Sequence, residues 1–155
     1  MNQHILNVKR RTSLVTVFTL ILSVQLGFIA YSGELKSRVP PDQLQEAQSL
    51  KNPYSVTKEF VDKGRILYEG RAFCSVCHGR DGQGLPVGPD YDSSSQPLPT
   101  NFTDGAWQTA RSDGEIFWIL KNGSHGTDMA AFMPQYVSEK EAWQLVTYLR
   151  SFQGA

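Results

Sequence analysis

The chain has 155 residues, 15 basic and 15 acidic side chains and two cysteines, enough for one ordinary domain plus a tail but not for two well-buried cores. Its charge is unevenly spread: residues 1–33 carry Lys9, Arg10 and Arg11 and no acid, leaving 12 basic against 15 acidic side chains beyond them. That acidic remainder argues against a nucleic-acid partner, since no basic stripe is available to neutralise phosphates, and two cysteines three positions apart cannot build a disulfide framework or a four-cysteine zinc site within one chain.

From Thr12 to Gly33 no residue is charged, and Leu14 to Tyr31 is dominated by Leu, Val, Ile and Phe, long enough to cross a hydrocarbon core of about 30 Å. The positive-inside tendency puts the basic residues 1–13 in the cytoplasm and everything after Gly33 outside. The expectation is a single transmembrane anchor over 14–33 in a bacterial inner membrane, with the rest on the periplasmic side. Ala30 and Ser32 also suit cleavage of a signal segment before Gly33, which would leave a periplasmic protein. Residues 34–54, with Pro40-Pro41 and Asn52-Pro53, read as a flexible tether holding at most a short helix around Gln43 to Leu50. Fully extended, it would reach roughly 60–70 Å.

Residues 55–155 read as an all-α domain of three helices and one long loop. The first helix is expected from about Val56 to Arg71, with Ser55 as N-cap and Phe60, Gly64, Leu67 and Tyr68 on one side. Ser112-x-x-Glu115 is a capping box that opens a second helix, closed by Asn122-Gly123. Ser138-x-x-Glu141 opens the last, where Ala142, Leu145, Val146 and Leu149 repeat at helical spacing. Between the first two, Gly79 to Gly105 is rich in Gly, Pro, Asp and Ser and has no periodicity. A loop of that length in so small a domain needs something to wrap around, and a buried cofactor meets the need.

The chemistry-bearing motif is Cys74-Ser75-Val76-Cys77-His78. Two thiols one helical turn apart can reach the two vinyl groups of one porphyrin edge, and the adjacent imidazole is delivered to the iron. The alternatives are a thioredoxin-like redox pair, which lacks its βαβ context here, and half of a zinc site, which lacks further ligands at matching spacing. One covalently attached haem c, with its iron, is the cofactor this pattern predicts. A second protein ligand on the far face would make an electron-transfer centre, whereas an open sixth position would bind exogenous molecules. The candidates downstream are His125, Met129 and Met133.

The motifs Gly64-x-x-Leu67-Tyr68, Cys74 to Gly79, Asp81-Gly82-x-Gly84, Gly126-Thr127-Asp128-Met129 and Trp143-x-x-x-x-Tyr148-Leu149, in that order, resemble the class I c-type cytochromes over residues 55–153. The resemblance implies a cytochrome c-like helical fold wrapped around one haem, with first and last helices crossing near Gly64, so that Gly64 and Tyr68 meet Tyr148 and Leu149. Family proteins often read Gly-Thr-x-Met-Pro-x-Phe at the ligand loop, which aligns with Gly126 to Phe132 and implies Met129 as the iron's sixth ligand. Ala130 departs from the usual proline, and Met133-Pro134 also resembles the methionine–proline pair, so Met133 is the alternative. The resemblance further implies that a proline carbonyl holds the His78 ring; Pro89 matches best, with Pro86 second. Trp107 and Arg111 are candidates for bonding the haem propionates.

These readings converge on an electron carrier that is not itself an enzyme and needs no small-molecule substrate. Thioether ligation raises the potential relative to two histidines and suits the high-potential end of a respiratory or photosynthetic chain. The expected partners are redox proteins and a membrane electron-transport complex, served as a shuttle or as a fixed subunit. The competing expectations are a haem enzyme or gas sensor with a labile sixth ligand, and a structural haem subunit without turnover.

Overall fold

A computed structural model describes residues 35–85 and 97–153. Six helices occur among the described residues, and no strand: α1 Pro41–Ser49, α2 Lys58–Glu69, α3 Cys74–His78, α4 Gly105–Ala110, α5 Asp113–Asn122 and α6 Glu139–Arg150. The anchor expected over 14–33 lies outside the described residues, as do Pro86 and Pro89. Among the described residues no helix is long and apolar enough to cross a membrane.

The caps decide where the helices start. In α2 the cap is Thr57 rather than Ser55: its Oγ1 accepts the Phe60 N–H at 3.2 Å, so the helix begins two residues later than expected. Both capping boxes form as the sequence spacing predicts. Ser112 Oγ accepts from Glu115 N at 3.1 Å while Glu115 Oε2 accepts from Ser112 N at 2.9 Å. Ser138 and Glu141 repeat the exchange at 3.4 and 2.9 Å. Each box satisfies two of the amide groups that a helix start leaves unbonded. The short α4 is an addition to the three expected helices; Asp104 caps it by accepting the Ala106 N–H at 2.8 Å, but six residues show no readable periodicity.

The core forms where α2 crosses α6. Phe60, Gly64, Leu67 and Tyr68 are buried on α2, as their spacing predicts, against Ala142, Leu145, Val146 and Leu149 on α6. At the crossing a Cβ on Gly64 would collide with the Gln144 carbonyl oxygen and come within 2.8 Å of the Tyr148 Cβ, so only glycine lets the two backbones approach this closely. Beside it the Tyr68 ring meets Tyr148 at 5.3 Å and Phe152 at 5.6 Å. From the other side α5 is tied in by Phe117 stacking on Trp143 at 4.4 Å. Each large side chain so buried is worth about 1.5–3 kcal/mol.

The stretch expected as a tether is different in kind. The compact unit starts at Ser37, and within it Val39 is 3% exposed and Ala47 fully buried. Helix α1 lies on α5, where a Cβ on Gly114 would strike the Ala47 carbonyl oxygen and approach the Leu50 Cβ to 2.9 Å. Trp118 Nε1 donates to Gln43 Oε1 at 3.1 Å. The polar composition of residues 34–54 suggests solvation, but an apolar residue every few positions (Val39, Leu44, Ala47) gives this short helix one side to bury with Trp118 and Ile119.

Glu115 holds this arrangement together. It is 2% exposed, and besides its own cap it accepts the Ser37 hydroxyl at 2.7 Å and the Gln48 amide at 3.5 Å. Burial pushes its pKa up, but the Ser112 N–H and the Ser37, Ser112 and Gln48 side chains outweigh burial and hold the carboxyl below the ordinary value of 4.5. A depressed carboxylate stabilises the fold fully above its unfolded value and loses that contribution as pH falls through its folded value.

Two outcomes are expected. Gly64→Ala should lower the thermal midpoint, because overpacking against a main-chain oxygen costs about 1–3 kcal/mol or more against a helix-propensity gain of only about 1 kcal/mol; a melt equal to or above wild type would contradict the crossing. Below the ordinary value of 4.5, wild type should lose thermal stability more steeply than Glu115→Gln, which should start less stable at neutral pH. Parallel acid profiles of the two proteins would show that Glu115 is not the group titrating.

Candidate functional site

The motif sits on α3, a single turn entered from a tight connection to α2. Phe73 N–H bonds the Gly70 carbonyl at 2.9 Å, and Phe73 itself is forced to a φ of 52°, the one left-handed non-glycine among the described residues. Such a conformation costs about 1–2 kcal/mol and delivers Cys74 straight into the helix. At the far end the α3 cap, Gly79, takes a φ of 73° and bonds Ser75 through its N–H. Its carbonyl is gripped by the buried Tyr68 hydroxyl at 2.7 Å. The helix crossing and the motif are thus connected by one hydrogen bond, and burial pushes the Tyr68 phenol well above its ordinary pKa.

Both cysteines are thiols without a disulfide partner, Cys74 half-buried and Cys77 exposed. Burial pushes the Cys74 thiol up to about 12, which makes it inert as an ordinary thiolate nucleophile. No strand occurs among the described residues, so the βαβ setting of a thioredoxin-like pair is not seen there. Among the described residues no group of three or more His, Cys, Asp or Glu could hold a metal ion, so a zinc site would need ligands from a partner chain.

His78 Nδ1 lies 3.0 Å from the Thr100 carbonyl oxygen. Pro89, expected to supply that carbonyl, lies outside the described residues; Thr100, directly after Pro99, is where the His78 ring finds its acceptor. The ring stacks on Phe102 at 4.4 Å. Three contacts fix this loop: Phe102 N–H to the Gly82 carbonyl at 2.7 Å, Gln108 Nε2 to the Phe102 carbonyl at 2.7 Å, and the same amide to the Leu149 carbonyl at 2.8 Å. Gln108, only 3% exposed, therefore ties the loop beneath the histidine to the last helix. Burial lowers the His78 pKa, with the Thr100 carbonyl opposing it, and the lowering favours the neutral imidazole. With Nδ1–H committed to a carbonyl, Nε2 carries the free lone pair, the state a metal ligand needs.

His78 lines a mainly apolar cleft that is partly open to solvent, the kind of lining that cofactor sites use. Phe102, Trp107, Ile116, Leu120 and Leu149 line it, and so does Met129. Both methionines pack against the main core, but Met133 is not among the residues that line the cleft. The loop that carries Met129 is a closed turn: Ser124 N–H bonds the Met129 carbonyl at 2.9 Å, Met129 N–H bonds Thr127 Oγ1 at 3.1 Å, and Phe132 N–H bonds the Leu120 carbonyl at 2.9 Å. His125 is exposed, with its ring 5.9 Å from Trp118. The two propionate candidates, Trp107 and Arg111, both border the cleft.

Thr100, Gln108 and Glu115 build the site without being marked for it in the sequence. A carbonyl contributed by the backbone has no residue-type signature, and a buried glutamine reads as surface until its two acceptors are known. Glu115 shows in the sequence only as half of a capping box. The donor set that results suits a porphyrin: two thiols on one helical turn, a neutral imidazole with Nε2 available, a thioether on the same cleft, and apolar walls.

The cytochrome c family profile matches residues 61–153. No curated protein matches the chain. Among solved structures, it is similar to a chain of the reducing HAO-like protein complex of Kuenenia stuttgartiensis, at 26% identity and a TM-score of 0.53, with 66% of this chain and 47% of that one covered. The matched part thus spans about half the length of that protein. A profile match that begins on α2 and runs through the last helix, over a motif whose thiols, imidazole and cleft fit covalent haem c, means that the chain belongs to the cytochrome c family.

Proposed function

We propose that the protein is a one-electron carrier whose haem iron is held by His78 and Met129, and that it works as a fixed subunit of a membrane electron-transport complex on the periplasmic side of a bacterial inner membrane. The observation that carries the ligation is that Met129, and not Met133, shares the apolar cleft with His78. When bound, the haem supplies a one-electron couple near the high-potential end expected for a thioether ligand. The chain's own residues do the rest. Cys74 and Cys77 tether the group, Thr100 fixes the His78 tautomer, and Phe102, Ile116 and Leu120 give the cleft apolar walls.

Rigidity is what an electron carrier needs from its ligands, because a centre that rearranges little on gaining an electron exchanges it readily. The bonds that close the Ser124–Met129 turn and the grip of Gln108 on the histidine loop both serve that end. The membrane role rests on the uncharged stretch 12–33 behind Lys9, Arg10 and Arg11. Membership of a complex is supported by the similarity to a chain from a multi-protein assembly. It is supported also by the packing of residues 37–50 onto the domain, which uses up most of the length that a shuttle's leash would require.

Spectra of the haem-loaded full chain test the ligation. Met129→Ala should abolish the methionine–iron charge-transfer band and open the reduced iron to carbon monoxide, while Met133→Ala should leave both as in wild type. The reverse pattern would assign the ligand to Met133, and rapid stoichiometric carbon monoxide uptake by wild type would point to a sensor or enzyme instead. In cells, the protein should stay with the membrane through salt and alkaline washing and leave only with detergent; release by salt alone would rule out the anchor.

A further inference from the structure

Residues 37–49 lie outside the part of the chain that matches the family, 61–153, yet Ser37, Arg38 and Val39 line the same cleft as His78 and Met129. They are held there by a packing unit of their own. Val39 and Ala47 form an apolar cluster with Trp118, flanked by Leu44 and Ile119, that is separate from the main core where α2 crosses α6. One end of the segment is fixed: Leu50 packs against the main core, and Asn52, which accepts the Tyr54 N–H at 2.9 Å, donates through Nδ2 to Thr147 Oγ1 at 3.4 Å. The rest rests chiefly on α5. Ser37 Oγ donates to Glu115 Oε1 at 2.7 Å, Gln48 Nε2 reaches Glu115 Oε2 at 3.5 Å, and Trp118 Nε1 donates to Gln43 at 3.1 Å. Gly114, lacking a side chain, lets the Ala47 carbonyl close on the helix.

A small apolar cluster and a handful of side-chain bonds make a segment that can open locally while the larger core stays formed. What opens with it is one border of the cleft, because Val39 and Ile119 belong both to the small cluster and to the cleft lining. Phe102, Ile116, Leu120 and Leu149, on the remaining walls, belong to the main core and stay in place.

We propose that residues 37–49 are a strap, hinged at residues 50–54 and latched by Ser37 on Glu115, that closes one border of the cleft and keeps exogenous ligands from the iron. The inference rests on the haem site and on the His78–Met129 ligation proposed for it. An electron can cross a packed wall that a small molecule cannot, so a closed strap permits electron transfer and excludes ligand chemistry. A neutral nitrogen base admitted to the cleft would form its bond to the oxidised iron as the Met129 sulfur bond breaks, one neutral donor for another, with no change of oxidation state. The strap therefore governs access without taking part in the redox couple.

The test uses imidazole as the probe on the oxidised, haem-loaded full chain, followed through loss of the methionine–iron band, with hydrogen exchange of the α1 amides measured alongside. Ser37→Ala removes the latch while leaving the Ser112–Glu115 cap of α5 in place, and Gly114→Ala prises α1 from α5. In each, the α1 amides should exchange about threefold to tenfold faster, the effect of losing one tie on a local opening equilibrium, with the α2 and α6 amides unchanged. Imidazole should bind faster by the same factor, and Ser37→Thr, which keeps the hydroxyl, should match wild type in both measurements. The proposal is overturned if α1 exchange quickens while imidazole binds at the wild-type rate, since the border that opens is then not the way in. It is equally overturned if neither variant quickens α1 exchange. Absence of the methionine–iron band from wild type itself would instead strike the ligation reading, and is seen before any variant is made.

Discussion

The close approach of α2 and α6 at Gly64 is the constraint on which the remaining geometry depends. With no side chain at Gly64, the Gln144 carbonyl and the Tyr148 Cβ sit against the α2 backbone, and Tyr68, one turn on, is carried into full burial. From there its hydroxyl reaches the Gly79 carbonyl at 2.7 Å. That bond fixes the end of α3 and therefore the height at which His78 leaves it. Moving α2 outward by the width of a methyl group would drag the Tyr68 hydroxyl with it, and the end of the motif would lose this tie to the core. A single missing Cβ in one helix thus propagates to the position of His78, through one aromatic side chain.

The other side of His78 is fixed by polar groups in apolar surroundings, where each is costly unless paired. Gln108, Glu115 and Gln144 are buried polar side chains, and among the described residues no buried side-chain nitrogen or oxygen lacks a partner. A buried amide left unpaired costs about 1–3 kcal/mol, so Gln108 enforces its two acceptors, the Phe102 and Leu149 carbonyls, as strictly as a packing contact would. Arg150 adds to the same knot, donating to the Gln108 carbonyl at 2.6 Å and to Asp113 at 2.6 Å. The outcome is a loop without secondary structure that nonetheless holds the Thr100 carbonyl within 3.0 Å of the histidine. Flexibility there would let the ring rotate and exchange tautomers, and the imidazole would lose its orientation.

How much of this is legible depends on whether the information is carried by residue type. Both capping boxes are readable because Ser112, Glu115, Ser138 and Glu141 act through their own side chains, and the buried faces of α2 and α6 are readable because apolar spacing is a property of the sequence. Cys74, Cys77 and His78 announce their chemistry in five residues. Thr57 is easily overlooked as a cap in favour of Ser55, since either hydroxyl is competent and only the path after Pro53 decides. The carbonyl on His78 is expected at a proline because the resemblance points there; a main-chain oxygen is common to every residue, and nothing in Thr100 marks it. Gln108 and the dual use of Glu115 arise from contacts between positions 41 and 78 residues apart, which local pattern cannot contain.

The same distinction explains residues 34–54. Their composition is polar and proline-bearing, and a polar stretch beside an apolar one reads as a linker. Yet three apolar positions suffice when the receiving surface is already shaped: Trp118 offers a ring and an N–H, and Gly114 offers an absence. Burying Val39 and Ala47 alone would be too weak to order a nine-residue helix against its conformational entropy of about 1–2 kcal/mol per residue. The Ser37–Glu115 and Gln43–Trp118 bonds supply direction, and the α1 helix begins at Pro41, where the ring has already fixed φ and no N–H is left unbonded. What composition cannot express is that the acceptor surface exists elsewhere in the chain. Once it does, the stretch ceases to be slack, and only Glu34, Leu35 and Lys36 remain between the apolar run and the folded unit.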